Sequence, residues 1–176
     1  MKNIYLVGFM GTGKSAVGCE LAKKKKWHFV DLDDFIELKE KRTIADIFAK
    51  DGEQYFRRAE KKALKEIAKE NGFVVACGGG IVINEENIRV MKDSGTMICL
   101  KALPEVILKR VSAQTHRPLL NVKDPEKQIG LLLKLRSPYY AEADKAIDTS
   151  RLSVKQVAGR ILKLFPRAKQ QALKSG

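Results

Sequence analysis

Short apolar runs alternate along the chain with stretches in which apolar residues recur at helical spacing. Ile4 to Val7, Phe29 to Val30, Phe73 to Cys77, Thr96 to Leu100 and Ala146 to Ile147 are continuous rather than alternating. That is the pattern of strands covered on both faces, and these runs predict five of them. Between them Tyr55/Phe56, Ala59, Ala63/Leu64 and Ile67/Ala68 share one helical face. Val154, Val157/Ala158, Ile161/Leu162 and Phe165 do the same, with Ser153 placed to cap that helix. Alternation of this kind predicts an α/β fold: a mostly parallel sheet under helices, right-handed crossovers, and ligands at the carboxyl ends of the strands. No internal repeat or linker interrupts it, so one domain spanning residues 1–176 is expected, with a polar, frayed tail at 166–176.

Composition narrows the class. The chain has 176 residues, 44% of them apolar, enough for one well-formed core. The longest run without a charged residue, Asn71 to Asn84, spans 14 positions, short of the roughly 20 a membrane span needs. Only four apolar residues follow Met1-Lys2-Asn3 before glycines begin, too few for a secretory signal, so a cytoplasmic protein is expected. Cys19, Cys77 and Cys99 are odd in number and widely spaced, which predicts reduced, packed thiols. The net charge of +13 raises nucleic acid as a partner, but seven basic and no acidic residues follow Asp148, so over half the excess belongs to the C-terminal stretch. Lys23 to Lys26 closes an amphipathic helix, where cations complement the dipole.

The first chemical signal is Gly8-Phe9-Met10-Gly11-Thr12-Gly13-Lys14-Ser15, a full G-x-x-x-x-G-K-[ST] between a predicted strand and a predicted helix. Its glycines let backbone N–H groups and a helix N-terminus wrap a polyphosphate. Lys14 then reaches the β- and γ-phosphates, and the Ser15 hydroxyl is a magnesium ligand. ATP or GTP with Mg2+ follows. Neither N-K-x-D nor D-x-x-G occurs, which disfavours a regulatory GTPase. Val74 to Cys77 ends in Gly78-Gly79-Gly80 rather than in an acid, so the carboxylates must come from elsewhere. Asp31-Leu32-Asp33-Asp34 can supply them: residues i and i+2 at a strand end point the same way, one holding magnesium while the other takes a proton. The alternative is that Asp33 or Asp34 caps the next helix, and Asp34 suits a cap better than chemistry. Arg57 at a helix start and Arg136 at a helix end can clamp an anion bidentately. Arg117, in a polar stretch between helices, can close on a transferring phosphoryl group. Each is also consistent with a surface cation, and His28 and His116 are expected to be structural.

In order along the chain, the phosphate loop, Asp31-x-Asp33, Ile44-Ala45-Asp46-Ile47-Phe48 with Gly52-Glu53 and Phe56-Arg57, Gly78-Gly79-Gly80, Arg117-Pro118-Leu119-Leu120 and Arg136-x-x-x-Tyr140 closely resemble the shikimate kinases, members of the nucleoside-monophosphate-kinase-like P-loop kinases. The resemblance implies a three-layer fold with strand order 2-3-1-4-5, a substrate-binding segment near 33–61 and a lid near 112–124. It implies transfer of the γ-phosphate of ATP to the 3-hydroxyl of shikimate, on the route to chorismate and the aromatic amino acids. Matching positions would place Asp33 on the acceptor hydroxyl, and Arg57, Arg136, Gly78, Gly79 and Gly80 around shikimate. Lys14 and Arg117 would stabilise the phosphoryl group in flight. Gly11, Thr12, Gly13, Lys14, Ser15 and Ala16 would bind ATP with Arg110, Arg117 and Arg151, and Ser15 and Asp31 would hold Mg2+. The partners implied are small molecules, ATP and shikimate, with no nucleic acid and no membrane, acting on a monomer. Two departures touch adenine binding and the glycine segment: Arg151-Leu152 stands where some relatives have paired arginines, and Cys77 where threonine is common. A gluconate-kinase-like enzyme would share the loop and lid without needing two arginines on a ring carboxylate. A nucleic-acid-binding ATPase is the reading the basic tail suggests.

Overall fold

All five predicted strands form, and they pair in parallel in the order β2-β3-β1-β4-β5. The computed structural model describes residues 2–112 and 124–165. Chain order runs β1 (Asn3–Val7), α1 (Lys14–Lys25), β2 (His28–Asp31), α2 (Leu32–Glu40), α3 (Ile44–Ile67), β3 (Phe73–Ala76), α4 (Glu85–Ser94), β4 (Gly95–Lys101), α5 (Pro104–Ser112), α6 (Pro125–Ala141), β5 (Lys145–Asp148) and α7 (Val154–Lys163). A 3₁₀ turn at Ile81–Ile83 follows β3.

Strand β1 shows why the sequence had to read as a continuous apolar run. Its alternate residues face opposite layers, Tyr5 and Val7 joining Leu32, Ile36, Ile47 and Leu64, while Ile4 and Leu6 join Leu21, Ile98, Val157 and Ile161. Both faces are therefore dry, and neither can carry a polar alternate. Helices α1 and α7 pack together over the second face. Ser153 caps α7 as predicted: its hydroxyl accepts from the Gln156 amide while the Gln156 side chain accepts from the Ser153 amide, worth about 1 kcal/mol. The basic end of α1 behaves as expected of a dipole complement, and Lys25 also lies 4.1 Å above the Trp27 ring.

Three expectations need correction or refinement. Cys77 and Cys99 are buried, but Cys19 is exposed, because it lies on the outer face of α1, away from the Val17-Leu21 stripe. The cap of α2 is Asp31, not Asp33 or Asp34: strand β2 ends one residue before the helix begins, so the last strand residue is itself the cap and accepts from the Asp33 amide at 3.1 Å. Asp33 consequently sits in the first turn of a helix, not two residues along a strand. Helix α3 is broken at Gly52 (φ 77°, ψ 177°), a backbone conformation that glycine alone adopts cheaply. The break starts a fresh helical run at Glu53, carrying Arg57. His28 is exposed on β2 and packs its ring 5.1 Å from that of Phe73, consistent with a structural role. His116 lies outside the described residues. Among the described residues no helix is long and apolar enough to cross a membrane.

Candidate active site

The phosphate loop joins the carboxyl end of the central strand to α1, and its course is set by close backbone packing. A Cβ on Gly8 (φ 138°) would lie 2.2 Å from the Leu100 carbonyl oxygen, so no side chain fits where β1 leaves the sheet. Thr12 is buried, its hydroxyl donating to the Phe9 carbonyl at 2.8 Å. The Lys14 ammonium donates to the carbonyls of Gly8 and Phe9, each at 3.0 Å, and so bridges the loop. Ser15 donates its hydroxyl proton to Asp31 at 2.6 Å. The two sequence-predicted magnesium ligands thus touch one another, at a helix N-terminus suited to anions.

A cleft of about 490 Å³ opens here, lined by Met10, Gly11, Gly13, Lys14, Ser15, Ala16, Asp31, Asp33, Cys77, Gly78, Gly79 and Arg110 among others. Asp33 lines it. Burial and then the neighbouring Asp31 push its carboxyl above the ordinary range, against the pull of Lys14. Its Oδ1 is buried without a hydrogen-bond partner. The second such oxygen in this region belongs to Glu60, which sequence reasoning missed. A Cβ on Gly78 would lie 3.0 Å from Asp33 Oδ1 and 3.2 Å from Glu60 Oε1, so both carboxylates face the same glycine. Glu60 is completely buried and receives Arg57 Nη1 on its other oxygen at 2.9 Å. Burial raises its carboxyl, with Arg57 opposing. A signal existed in the sequence, since Glu60 lies within the apolar stripe Phe56, Ala63, Leu64 and Ile67.

Arg57 and Arg136 both reach the glycine segment, and Arg110 reaches the phosphate loop. Arg57 donates to Glu53 as well as to Glu60, and its guanidinium lies against Gly80, where a Cβ would meet Nη2 at 2.6 Å. Arg136, on α6, lies over the Phe9 ring at 5.6 Å and reaches Gly79, whose Cβ would sit 3.6 Å from Nη1. Arg110 hydrogen-bonds the Gly11 carbonyl at 3.2 Å and the Thr149 hydroxyl and carbonyl at 3.0 and 2.8 Å. Thr149 is buried and meets the carbonyls of Thr12 and Lys101, each at 3.1 Å. This knot ties the phosphate loop to α5 and to the end of β5, and Thr149 is a second residue the motifs did not reveal. Arg151 is exposed beyond it. Arg117, and all of the 112–124 segment but its two end residues, lie outside the described residues.

A phosphate loop beside a carboxylate whose proton affinity is raised, with two arginines beyond it, is the equipment of a kinase for an anionic alcohol. Comparison with known proteins decides the family. A family model described as shikimate kinase matches residues 10–166. The chain belongs to the shikimate kinase family. The shikimate kinase of Thermoanaerobacter pseudethanolicus is 45% identical over 170 residues, covering 97% of this chain and 99% of that one. The shikimate kinase of Thermodesulfovibrio yellowstonii is 45% identical over 167 residues, covering 95% and 96%. Among solved structures, the shikimate kinase of Acinetobacter baumannii in complex with shikimate superposes with a TM-score of 0.87 at 39% identity, covering 93% of this chain and 92% of that one. A shikimate kinase from Aquifex aeolicus matches with a TM-score of 0.78 at 34% identity, covering 92% and 94%. Shikimate kinases are ATP-dependent phosphotransferases, and the strand order the resemblance implied is the one found here.

Proposed function

We propose that the chain transfers the γ-phosphoryl group of ATP to the 3-hydroxyl of shikimate, with Asp33 at the reacting oxygen. The observation that carries this assignment is the placement of Asp33 and Glu60 on one side of Gly78, with Arg57 at Gly80 and Arg136 at Gly79 beyond them. A ring carboxylate suits the two guanidinium forks, and the hydroxyls then meet carboxylate oxygens that have no other partner. The acceptor oxygen attacks the γ-phosphorus as the bond to the β-bridging oxygen breaks. Its proton passes to Asp33, and ADP leaves. A carboxyl raised by burial is the better proton acceptor for this step.

Lys14 serves the γ-phosphoryl group as its negative charge redistributes, and Arg117 joins it from the proposed lid at about 112–124. Gly11, Thr12, Gly13, Ser15 and Ala16 bind the phosphates. Arg110 offers the plane of its guanidinium to adenine while its edge remains hydrogen-bonded, and Arg151 is a further nucleotide contact. Magnesium fits the paired hydroxyl and carboxylate of Ser15 and Asp31. Among the described residues no group of three or more acidic, histidine or cysteine side chains could hold a metal by itself, so phosphate and water oxygens would complete the shell. Bound there, the ion neutralises phosphate charge. The enzyme is read as one domain spanning residues 1–176, a cytoplasmic monomer that serves no nucleic acid.

ADP release from ATP and magnesium, measured with and without shikimate at two salt concentrations, tests the reading. ADP formed only with shikimate is the expected result. Turnover with gluconate in its place, or stimulation by nucleic acid that falls with salt, would overturn it.

A further inference from the structure

Tyr140 lies one helical turn after Arg136 on α6, and its phenol is buried. Its hydroxyl donates to the Gly79 carbonyl at 2.7 Å. The space at the Gly79 α-carbon is framed by three groups, Arg136 Nη1 at 3.6 Å, the Gly8 carbonyl oxygen at 3.6 Å and Tyr140 Oη at 3.7 Å from where a Cβ would stand. The phenol therefore sits between the arginine and the glycine segment, at the point where that segment meets the start of the phosphate loop. We propose that Tyr140 is a positioning residue for the acceptor site, locking the Gly79 peptide and the Arg136 guanidinium into one rigid unit. The proposal rests on the reading of Arg136 and Gly79 as acceptor-binding groups.

The bond supplements incomplete packing around the ring. One face of the ring packs in the core, but the other lines an open pocket of about 190 Å³ together with Phe9, Thr12, Cys99, Leu133 and Ser137, so packing on that side does not fix it. Helix α6 contains Pro138, two residues before Tyr140, and the missing amide removes one backbone hydrogen bond from the last turn. A side-chain anchor to the sheet restores a fixed relation between that turn and Gly79. Burial pushes the phenol up to about 12, with Arg136 opposing, so the hydroxyl keeps its proton and remains a donor throughout the neutral range.

The test is Tyr140→Phe, which keeps the ring and removes only the hydroxyl. Steady-state kinetics with each substrate varied in turn should show the shikimate KM rising about five- to tenfold, the loss of one buried hydrogen bond. The ATP KM and kcat should stay within twofold. Combining Tyr140→Phe with Arg136→Lys should give a rise in shikimate KM smaller than the product of the two single effects. A thermal melt of each variant separates this from packing: a residue that only stabilises the fold lowers Tm and the active fraction, leaving both KM values where they were. An active wild-type enzyme whose Tyr140→Phe variant keeps its shikimate KM, whatever its Tm, overturns the proposal alone. A wild-type enzyme that does not phosphorylate shikimate overturns the underlying reading and the proposal with it.

Discussion

Gly80→Ala displaces the Arg57 guanidinium without deleting it. The backbone at Gly80 (φ −97°, ψ −4°) is open to any residue, so alanine introduces no strain there. Its methyl group, however, would stand 2.6, 2.9 and 3.0 Å from Arg57 Nη2, Nη1 and Cζ. The guanidinium must withdraw by about 0.8 Å to reach ordinary contact at 3.4 Å. As the far end of a flexible side chain it can move, but its Nη1 also holds the completely buried Glu60 carboxylate, so that ion pair is loosened with it. The lower backbone entropy of the unfolded alanine chain contributes about 0.4–1 kcal/mol in the opposite sense, which offsets part of that loosening, so Tm should fall by about 2–4 °C for each kcal/mol of net loss. A fork displaced by this distance loses one arm of a bidentate pair with a carboxylate, about 1.5–3 kcal/mol. The shikimate KM should therefore rise roughly 10- to 150-fold, with the ATP KM unchanged. Coupled ADP-release kinetics and a thermal melt on the same preparation read both quantities. A folded Gly80→Ala enzyme with a shikimate KM within twofold of wild type would refute the placement of the acceptor carboxylate against Arg57.

Asp33→Asn removes the proposed proton acceptor while keeping its shape, and kcat should fall by at least about 100-fold with ATP affinity, followed by nucleotide titration, little changed. Arg57→Ala should instead mainly raise the shikimate KM, and equal losses in kcat for both variants would show that the roles are misassigned. Thr149→Val removes the hydroxyl that accepts from Arg110 and lies 3.1 Å from the Thr12 carbonyl, while the Lys101 carbonyl keeps the Thr149 amide. Its ATP KM should rise about five- to tenfold, near 1 kcal/mol, the shikimate KM should hold, and Thr149→Ser should recover most of the loss. On the surface, Lys61 and Lys65 both donate to Glu86 and hold its carboxyl down to about 2. Because the folded value lies below the unfolded one, this stabilisation is complete above the ordinary glutamate range, about 4.3, and disappears as pH falls towards 2. The Tm difference between wild type and Glu86→Gln should accordingly be present at pH 7 and close across that window. A constant difference at all pH values would show that the lysines are not its source.

What could be read from the sequence was what is written locally. The phosphate loop is contiguous, its glycines and lysine fixed in spacing by the ligand, and the five strands announce themselves because a sheet covered on both faces tolerates no polar alternate. The pair Asp31 and Asp33 was legible as chemistry but not as geometry, since the boundary between β2 and α2 falls between them and boundaries depend on which group captures an amide. Glu60 and Thr149 were out of reach of motif reasoning because their roles arise across the chain. Glu60 acquires meaning from Gly78, and Thr149 from Thr12, 137 positions away. Even so, a glutamate inside the apolar face of α3 was a visible anomaly, and a buried charge in such a place calls for a partner. The arginine pair was recognised by type, and only the fold shows that Gly79 and Gly80 are each matched to one of them.

The site is carried by two sets of segments that scarcely overlap in sequence. The loop at residues 8–16, Arg110 and Thr149 form one, while the second run of α3 beyond Gly52, the end of α6 and the glycine segment form the other. They meet at Asp33 and at the contact between Gly79 and Gly8. On the proposed assignment of these groups, substitutions that retune which alcohol is accepted can accumulate on α3 and α6 while the phosphate-handling half is left untouched. The architecture lends itself to divergence by acceptor, with the nucleotide half inherited intact.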